Sequence, residues 1–262
     1  MVSMLDVEPW QALAAPEGAM RLSWRRADGA GRDWAVWWPG RCRAACALYL
    51  HGHGSGGDQP FVREDVARLW VPELRRLGLG IVSPHLGSTH WMGPRAAVEL
   101  RRLLAAARRE FGIERFYVVS GSMGGSAALV YAALHPEDVA AVAALCPATD
   151  VGGYHDWCRS KPGDVRDEIR RAIADAYGGT PETIPDVYAA HSAVGHADRL
   201  TMPVLVIHGT RDALIPVRES RRLAAAMRGR EGFTYVEIQG GDHEAPLSHE
   251  AIWPWLAGNV AL

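Results

Sequence analysis

Three residues whose side chains can together perform nucleophilic catalysis each follow a run rich in apolar residues: Ser122, Asp212 and His243. A serine hydroxyl becomes a strong nucleophile when a base takes its proton, and histidine titrates near neutral pH and can both take and return it. A carboxylate fixes the tautomer of the histidine and stabilises the imidazolium. We therefore predict Ser122 as nucleophile, His243 as base and Asp212 as the acid that orients the base.

The sequence around Ser122 is that of a tight turn between a strand and a helix. Residues 120–125 read Ser-Gly-Ser-Met-Gly-Gly, after an apolar run and before an alanine-rich stretch. Such a turn requires small residues two positions before and after the serine, and it exposes the hydroxyl at a helix N-terminus. Ser120 replaces the usual glycine of G-x-S-x-G, but serine is small enough to fit. The alternative, a phosphate-binding Walker loop, would need a lysine that is missing here.

A second glycine-rich loop follows the third predicted strand, where residues 51–58 read His-Gly-His-Gly-Ser-Gly-Gly-Asp. Backbone N–H groups fixed near the nucleophile stabilise the oxyanion of a tetrahedral intermediate. We predict that the N–H groups of His53 and Met123 form this oxyanion hole. His51 and His53 could instead bind a metal, but His-x-His without a third nearby ligand is weak evidence. We expect neither a metal nor an organic cofactor.

Two carboxylates other than Asp212 could orient His243. Asp242 adjoins His243, although adjacent side chains in a turn rarely face each other, and Asp150 follows a different predicted strand.

Trp91 and Trp157 lie in segments expected at the edge of the sheet where ligands bind in open α/β folds. An indole suits a ring, so we predict both as substrate-binding residues for aryl or sugar esters. The alternative is that they only fill the core or the surface.

The elements that must position these residues alternate between strands and helices. This order predicts an α/β fold with a mostly parallel central sheet, helices on both faces and one domain over residues 1–262. Because the C-terminal ends of parallel strands share one edge, Ser122, Asp212 and His243 can converge there. The strands are predicted at 19–26, 33–38, 45–50, 79–84, 116–120, 139–145, 203–208 and 233–238, the first two as an antiparallel pair, and the helices at 62–77, 95–111, 123–135 and 245–258.

Residues 147–202 interrupt this alternation and exceed the usual length of an α/β connection. The segment contains several Gly and Pro residues and one charged helix predicted near 164–177. We interpret it as an insertion that caps the C-terminal edge of the sheet, because long ordered loops at that edge are often functional. A surface excursion without a role is the alternative.

Composition excludes several classes of protein. The chain has 262 residues, 48% of them hydrophobic, and a net charge of −2, which argues against disorder and against nucleic-acid binding. The N-terminus lacks the pattern of a signal peptide and no apolar run could span a membrane, so we expect a cytoplasmic protein. Its oligomeric state is not predicted. The four cysteines are expected to be free thiols, with a Cys146–Cys158 disulfide as the alternative.

These motifs together resemble those of the α/β-hydrolase superfamily, and in particular its prolyl oligopeptidase-like and esterase-like branch. The resemblance extends over roughly residues 45–260 and includes the segments 51–57, 120–125, 177–182 and 208–216. It implies hydrolysis of a small-molecule carboxylic ester through an acyl-serine. The peptidases of this branch usually carry a β-propeller ahead of the catalytic domain, and only about forty residues stand there, which favours an esterase. A small serine peptidase or amidase and a non-catalytic binding module remain as alternatives.

Overall fold

A single nine-stranded sheet organises the chain. The computed structural model describes residues 3–160, 163 and 165–261. The strands lie side by side in the order β1-β2-β3-β5-β4-β6-β7-β8-β9. They are β1 (Asp6–Pro9), β2 (Met20–Arg25), β3 (Arg32–Trp38), β4 (Ala45–Leu48), β5 (Gly80–Pro84), β6 (Arg115–Gly121), β7 (Ala141–Leu145), β8 (Val204–Gly209) and β9 (Phe233–Ile238).

The sheet divides into an antiparallel edge and a parallel body. Strands β1, β2 and β3 pair antiparallel, β3 also pairs antiparallel with β5, and all further pairs are parallel. The predicted parallel sheet and the predicted antiparallel pair at 19–26 and 33–38 are confirmed. Strand β1 is missing from the sequence prediction because all four of its residues are exposed, so it has no buried face to create an alternating pattern.

Helices cover both faces of the sheet, as predicted. Every residue of β5, β7 and β8 is buried, which explains why their sequences are continuous apolar runs instead of alternating ones. The helices are α1 (Gln59–Val62), α2 (Glu64–Leu69), α3 (Val71–Arg76), α4 (Pro94–Phe111), α5 (Met123–Leu134), α6 (Val151–Arg159), α7 (Val165–Tyr177), α8 (Pro185–Ala190), α9 (Arg218–Ala226) and α10 (Ile252–Asn259).

Three helix predictions need correction. The predicted helix 62–77 is divided among α1, α2 and α3, because Arg63 has an extended backbone (ψ 113°) and Pro72, the second residue of α3, is tolerated only at the start of a helix. The predicted helix 245–258 is a 3₁₀ turn over Ala245–Ser248 and then α10, separated at the extended His249. Helix α9 has no counterpart in the sequence prediction, although its residues show an amphipathic periodicity.

The 147–202 segment contains helices α6, α7 and α8. Helix α6 packs against α7 and α8, and α7 packs against α4. The hydroxyl of Tyr177 donates a hydrogen bond to the carbonyl oxygen of Trp91 (3.3 Å), and His191 bonds to that of Met92 (3.0 Å). The predicted helix 164–177 is confirmed from Val165 on, whereas Asp164 lies outside the described residues. This segment is thus fastened to the loop that follows β5.

Among residues 3–160, 163 and 165–261, no helix has both the length and the apolar composition that a membrane crossing requires.

Candidate active site

Ser122 occupies a strained turn between β6 and α5. Its φ of 57° and ψ of −128° belong to a region that non-glycine residues rarely adopt. Its N–H donates to the carbonyl oxygen of Leu145 at 2.8 Å, which fixes the turn to β7. A Cβ atom at Gly124 would overlap the carbonyl oxygen of Leu50, and one at Gly125 would lie 2.9 Å from that of Leu145. The surrounding backbone therefore leaves room only for glycine at positions 124 and 125, and it holds Ser122 in place.

The three residues predicted to act together form one series of hydrogen bonds. His243 Nε2 lies 2.9 Å from Ser122 Oγ, and His243 Nδ1 lies 2.7 Å from Asp212 Oδ2. The other carboxylate oxygen of Asp212 accepts the backbone N–H groups of Leu214 and Ile215, each at 2.8 Å. A carboxylate held in this way fixes the orientation of the imidazole, and the imidazole reaches the hydroxyl that it would deprotonate.

The two rival acids have other partners. Asp150 caps helix α6 by accepting the N–H of Gly153, and it pairs with Arg222 at 3.1 Å. Asp242 accepts the N–H groups of Glu244 and Ala245 within its own turn. Each carboxylate is occupied in local structure, and only Asp212 contacts the His243 ring among the three.

The electrostatics of Asp212 and His243 favour an ion pair. Burial raises the pKa of the Asp212 carboxyl, but hydrogen bonds from His208 and His243 outweigh it and hold the pKa well below its usual range. Burial lowers the pKa of His243, while Cys146 and Asp212 raise it, and the net direction is upward. The carboxylate thus remains charged and strengthens the basicity of the imidazole.

The two residues predicted to supply the oxyanion donors, His53 and Met123, are both near Ser122: His53 lines the same cavity and Met123 follows Ser122 in the chain. Gly52 and His53 line the same cavity as Ser122, and the tight contact of Gly124 with Leu50 brings the start of α5 against this loop. Met123 is the first residue of α5, so its N–H has no partner within the helix. Within the described residues neither the His53 nor the Met123 N–H has an acceptor. Both are free to bind an oxygen atom.

Two polar side chains for which the sequence analysis predicted no such role, Gln59 and Ser120, hold this loop. Gln59 is buried, and its Oε1 accepts the N–H of Gly52 at 2.8 Å while its Nε2 donates to Ser55 Oγ at 2.8 Å. Ser120 Oγ accepts the N–H of Leu50 at 2.9 Å. The serine at the altered first position of G-x-S-x-G therefore does more than fit, because it satisfies a buried donor that glycine would leave unpaired.

A cavity of about 220 Å³ opens at Ser122. Trp91, one of the predicted substrate-binding residues, lines it and is itself almost fully buried. Its indole N–H donates to His53 Nδ1 at 3.1 Å, so Trp91 also fixes a side chain of the glycine-rich loop. The remaining wall is mostly apolar or aromatic and includes Tyr49, Val66, Trp70, Tyr154, Ile169 and Leu247.

The structure does not bring Trp157 into this cavity. The indole of Trp157 stacks on Tyr154, with ring centroids 5.8 Å apart, and two guanidinium groups lie over it, those of Arg166 and Arg218. Tyr154 precedes it by three residues in α6 and forms the cavity wall in its place. The sequence analysis identified the segment that supplies this part of the cavity wall. Which side chain faces the cavity depends on how helix α6 is rotated against the sheet.

Comparison with known proteins places the fold in a recognised group. A model of the alpha/beta hydrolase fold matches residues 48–167. The solved structure of Est1E from Butyrivibrio proteoclasticus superposes with a TM-score of 0.65 at 18% identity, over 94% of this chain and all of that one. The chain has the α/β-hydrolase fold. The resemblance inferred from the motifs is confirmed at that level.

Curated relatives of this α/β-hydrolase chain include an esterase and a peptidase. Esterase LipC of Mycobacterium tuberculosis is 31% identical over 173 residues, which cover 59% of this chain and 42% of that protein. A putative proline iminopeptidase of Mycoplasma pneumoniae is 33% identical over 134 residues, 49% of this chain and 40% of that protein. The matched stretches thus span about two fifths of these relatives.

The histidines of the glycine-rich loop and the four cysteines have other surroundings than a metal site or a disulfide would give them. Both ring nitrogens of His51 face carbonyl oxygens, those of Gly52 and His85, and within the described residues His51 and His53 share no cluster with a third ligand. All four cysteines are free, so the alternative disulfide is wrong. Cys146 Sγ lies 4.0 Å from His243 Nε2.

The strain at Ser122 leads to a prediction about stability. Ser122→Gly should be more stable than Ser122→Ala by about 1 kcal/mol, because glycine adopts this backbone conformation without strain, which outweighs its larger entropy in the unfolded chain. Urea unfolding of both variants measures the difference. At Ser126, within α5, the same pair should show the opposite order, since alanine is favoured inside a helix. Equal stability of the two Ser122 variants would show that the turn is unstrained.

Proposed function

We propose that the protein is a serine hydrolase that cleaves carboxylic esters through an acyl-serine intermediate. The observation that carries this proposal is the series of hydrogen bonds from Ser122 through His243 to Asp212 at a strained strand–helix turn. The turn exposes the hydroxyl in a cavity, and the buried carboxylate orients the base.

In the proposed reaction, Ser122 Oγ attacks the ester carbonyl carbon while His243 Nε2 takes the hydroxyl proton. The carbonyl oxygen becomes an oxyanion and accepts the N–H groups of His53 and Met123. The imidazolium, stabilised by Asp212, returns the proton to the alkoxy oxygen, and the alcohol leaves the acyl-serine. A water molecule then loses a proton to His243 and attacks the acyl carbon, and the proton passes to Ser122 Oγ as the carboxylic acid departs.

Hydrolysis of amides by the same residues is the second candidate, and the similarity to a proline iminopeptidase favours it. The two bonds differ in their leaving groups, since an amine must be protonated before it can depart whereas an alkoxide leaves more readily. Comparing kcat/KM for an ester and an amide with identical acyl groups decides between the two. We expect the ester to be cleaved far faster.

Labelling with a fluorophosphonate tests the nucleophile. Ser122→Ala should abolish both labelling and ester turnover, because the probe requires a serine activated by an adjacent base. Ser120→Gly restores the usual glycine two residues earlier, and it should still label, which makes it the matched control. Full labelling of the Ser122→Ala protein would assign the nucleophile elsewhere.

The pH dependence tests the base and its acid. Neutral His243 is the active form, and its raised pKa moves the acidic limb of kcat/KM to a pH above the ordinary histidine value of 6.5. Asp212→Asn should lower the apparent pKa of that limb and reduce kcat by roughly 10⁴, as loss of the acid does in serine proteases. Asp150→Asn, which alters a helix cap and an ion pair with Arg222 but no contact of His243, should keep both values. A larger loss of kcat in Asp150→Asn than in Asp212→Asn would assign the role of the acid to Asp150.

The size of the cavity predicts which acyl groups are accepted. About 220 Å³ is small for a ligand site, whose usual volume is roughly 300–1,000 Å³. Across p-nitrophenyl esters, kcat/KM should be highest for acetate and butyrate and fall at least roughly tenfold by dodecanoate, because a long chain must leave the apolar wall for water. A flat profile from acetate to dodecanoate would show that the acyl chain does not enter this cavity.

A further inference from the structure

A second histidine lies on the far side of the triad carboxylate. His208 is the penultimate residue of β8 and is completely buried, and no role for it followed from the triad or from the oxyanion loop. Its Nε2 lies 3.2 Å from Asp212 Oδ2, the same oxygen that accepts the hydrogen bond from His243. A polar ring enclosed so completely beside a buried charge must satisfy its own hydrogen bonds there.

The hydrogen-bond partners assign the protons of His208. Nε2 faces two acceptors, Asp212 Oδ2 and the carbonyl oxygen of Ile215 at 2.9 Å, so Nε2 carries a hydrogen atom. Nδ1 lies 2.7 Å from the hydroxyl of Ser220, a buried residue of α9, and accepts a hydrogen bond from that hydroxyl. Ser220 and His208 thus repeat, on the buried side of Asp212, the arrangement that Ser122 and His243 form on the open side.

This second donor completes the bonding of the carboxylate. An ionised carboxylate has about four lone-pair sites, and those of Asp212 meet two backbone N–H groups, His243 and His208. The first two fix Oδ1, and the two histidines share Oδ2. We propose that His208 is a positioning residue that locks the Asp212 carboxylate and limits how strongly it attracts the proton of His243. The inference rests on the proposed function, in which that proton moves.

Removing the Nε2 donor has a defined electrostatic consequence. The charge on Oδ2 would then be stabilised by His243 alone, so the imidazolium would gain stabilisation and the pKa of His243 would rise. The carboxylate would also lose one of the contacts that hold its plane, which would slow proton transfer. Within the part of the chain that the structure describes, the other ionisable groups around His208 and Asp212 include Glu237 on β9, its partners Arg221 and Tyr235, and, beyond the carboxylate, Cys146 and Tyr154.

His208→Met and His208→Gln form the matched pair of variants. Met fills a similar volume without a donor, whereas the amide nitrogen of Gln can replace Nε2. For His208→Met we expect the acidic limb of kcat/KM to move up by about 0.5–1 pH unit and kcat to fall roughly tenfold with little change in KM. His208→Gln should restore the wild-type limb. Ser220→Ala, which removes a single hydroxyl, should move the limb in the same direction by less.

Titration of His243 by NMR in the ¹⁵N-labelled full chain provides a readout without turnover. A higher His243 pKa in His208→Met and in Ser220→Ala supports the proposal. Unchanged His243 titration in both variants, with activity reduced equally at every pH, would overturn it and leave His208 as a packing residue. If His208→Met does not fold, the His243 titrations in Ser220→Ala and His208→Gln test the proposal instead. Should wild-type protein neither label nor cleave esters, the proposed function fails, while the NMR titration still tests the coupling.

Discussion

The close approach of Gly124 to the carbonyl oxygen of Leu50 is the contact on which the arrangement of the site depends. Helix α5 can begin directly against the end of β4 only because position 124 has no side chain. This approach places the start of α5, with the free N–H of Met123, against the glycine-rich loop, and the preceding Ser122 has a positive φ. Nucleophile and proposed oxyanion donors are thus brought together by one backbone contact, and their own side chains are not required for it.

A second constraint is the buried charge of Asp212. A carboxylate removed from water is costly unless it is fully hydrogen-bonded, and here two backbone N–H groups and two histidines provide the bonds. The turn after β8 therefore has to fold in one way for the carboxylate to remain ionised. The same bonds orient Asp212 Oδ2 toward His243, so the geometry that stabilises the buried charge is also the geometry that the proposed reaction needs.

The sequence predicted those features that depend on local pattern. Buried parallel strands appear as apolar runs, and Ser122, Asp212 and His243 were singled out because each follows the end of a predicted strand at the common edge. Features decided by tertiary packing were missed or wrong. Strand β1 has no buried face, Trp157 is replaced in the cavity by Tyr154, and the supports supplied by Gln59 and His208 depend on contacts between segments distant in sequence.

The 147–202 segment connects these elements to the substrate cavity. Tyr177 and His191 bind the carbonyl oxygens of Trp91 and Met92, two adjacent residues that both have positive φ. A non-glycine backbone persists in that conformation when its surroundings determine it, and these hydrogen bonds are part of those surroundings. Trp91 in turn donates to His53, whose N–H is a proposed oxyanion donor. Because the segment also forms part of the cavity wall, changes in it would alter both the shape of the cavity and the support of the oxyanion loop.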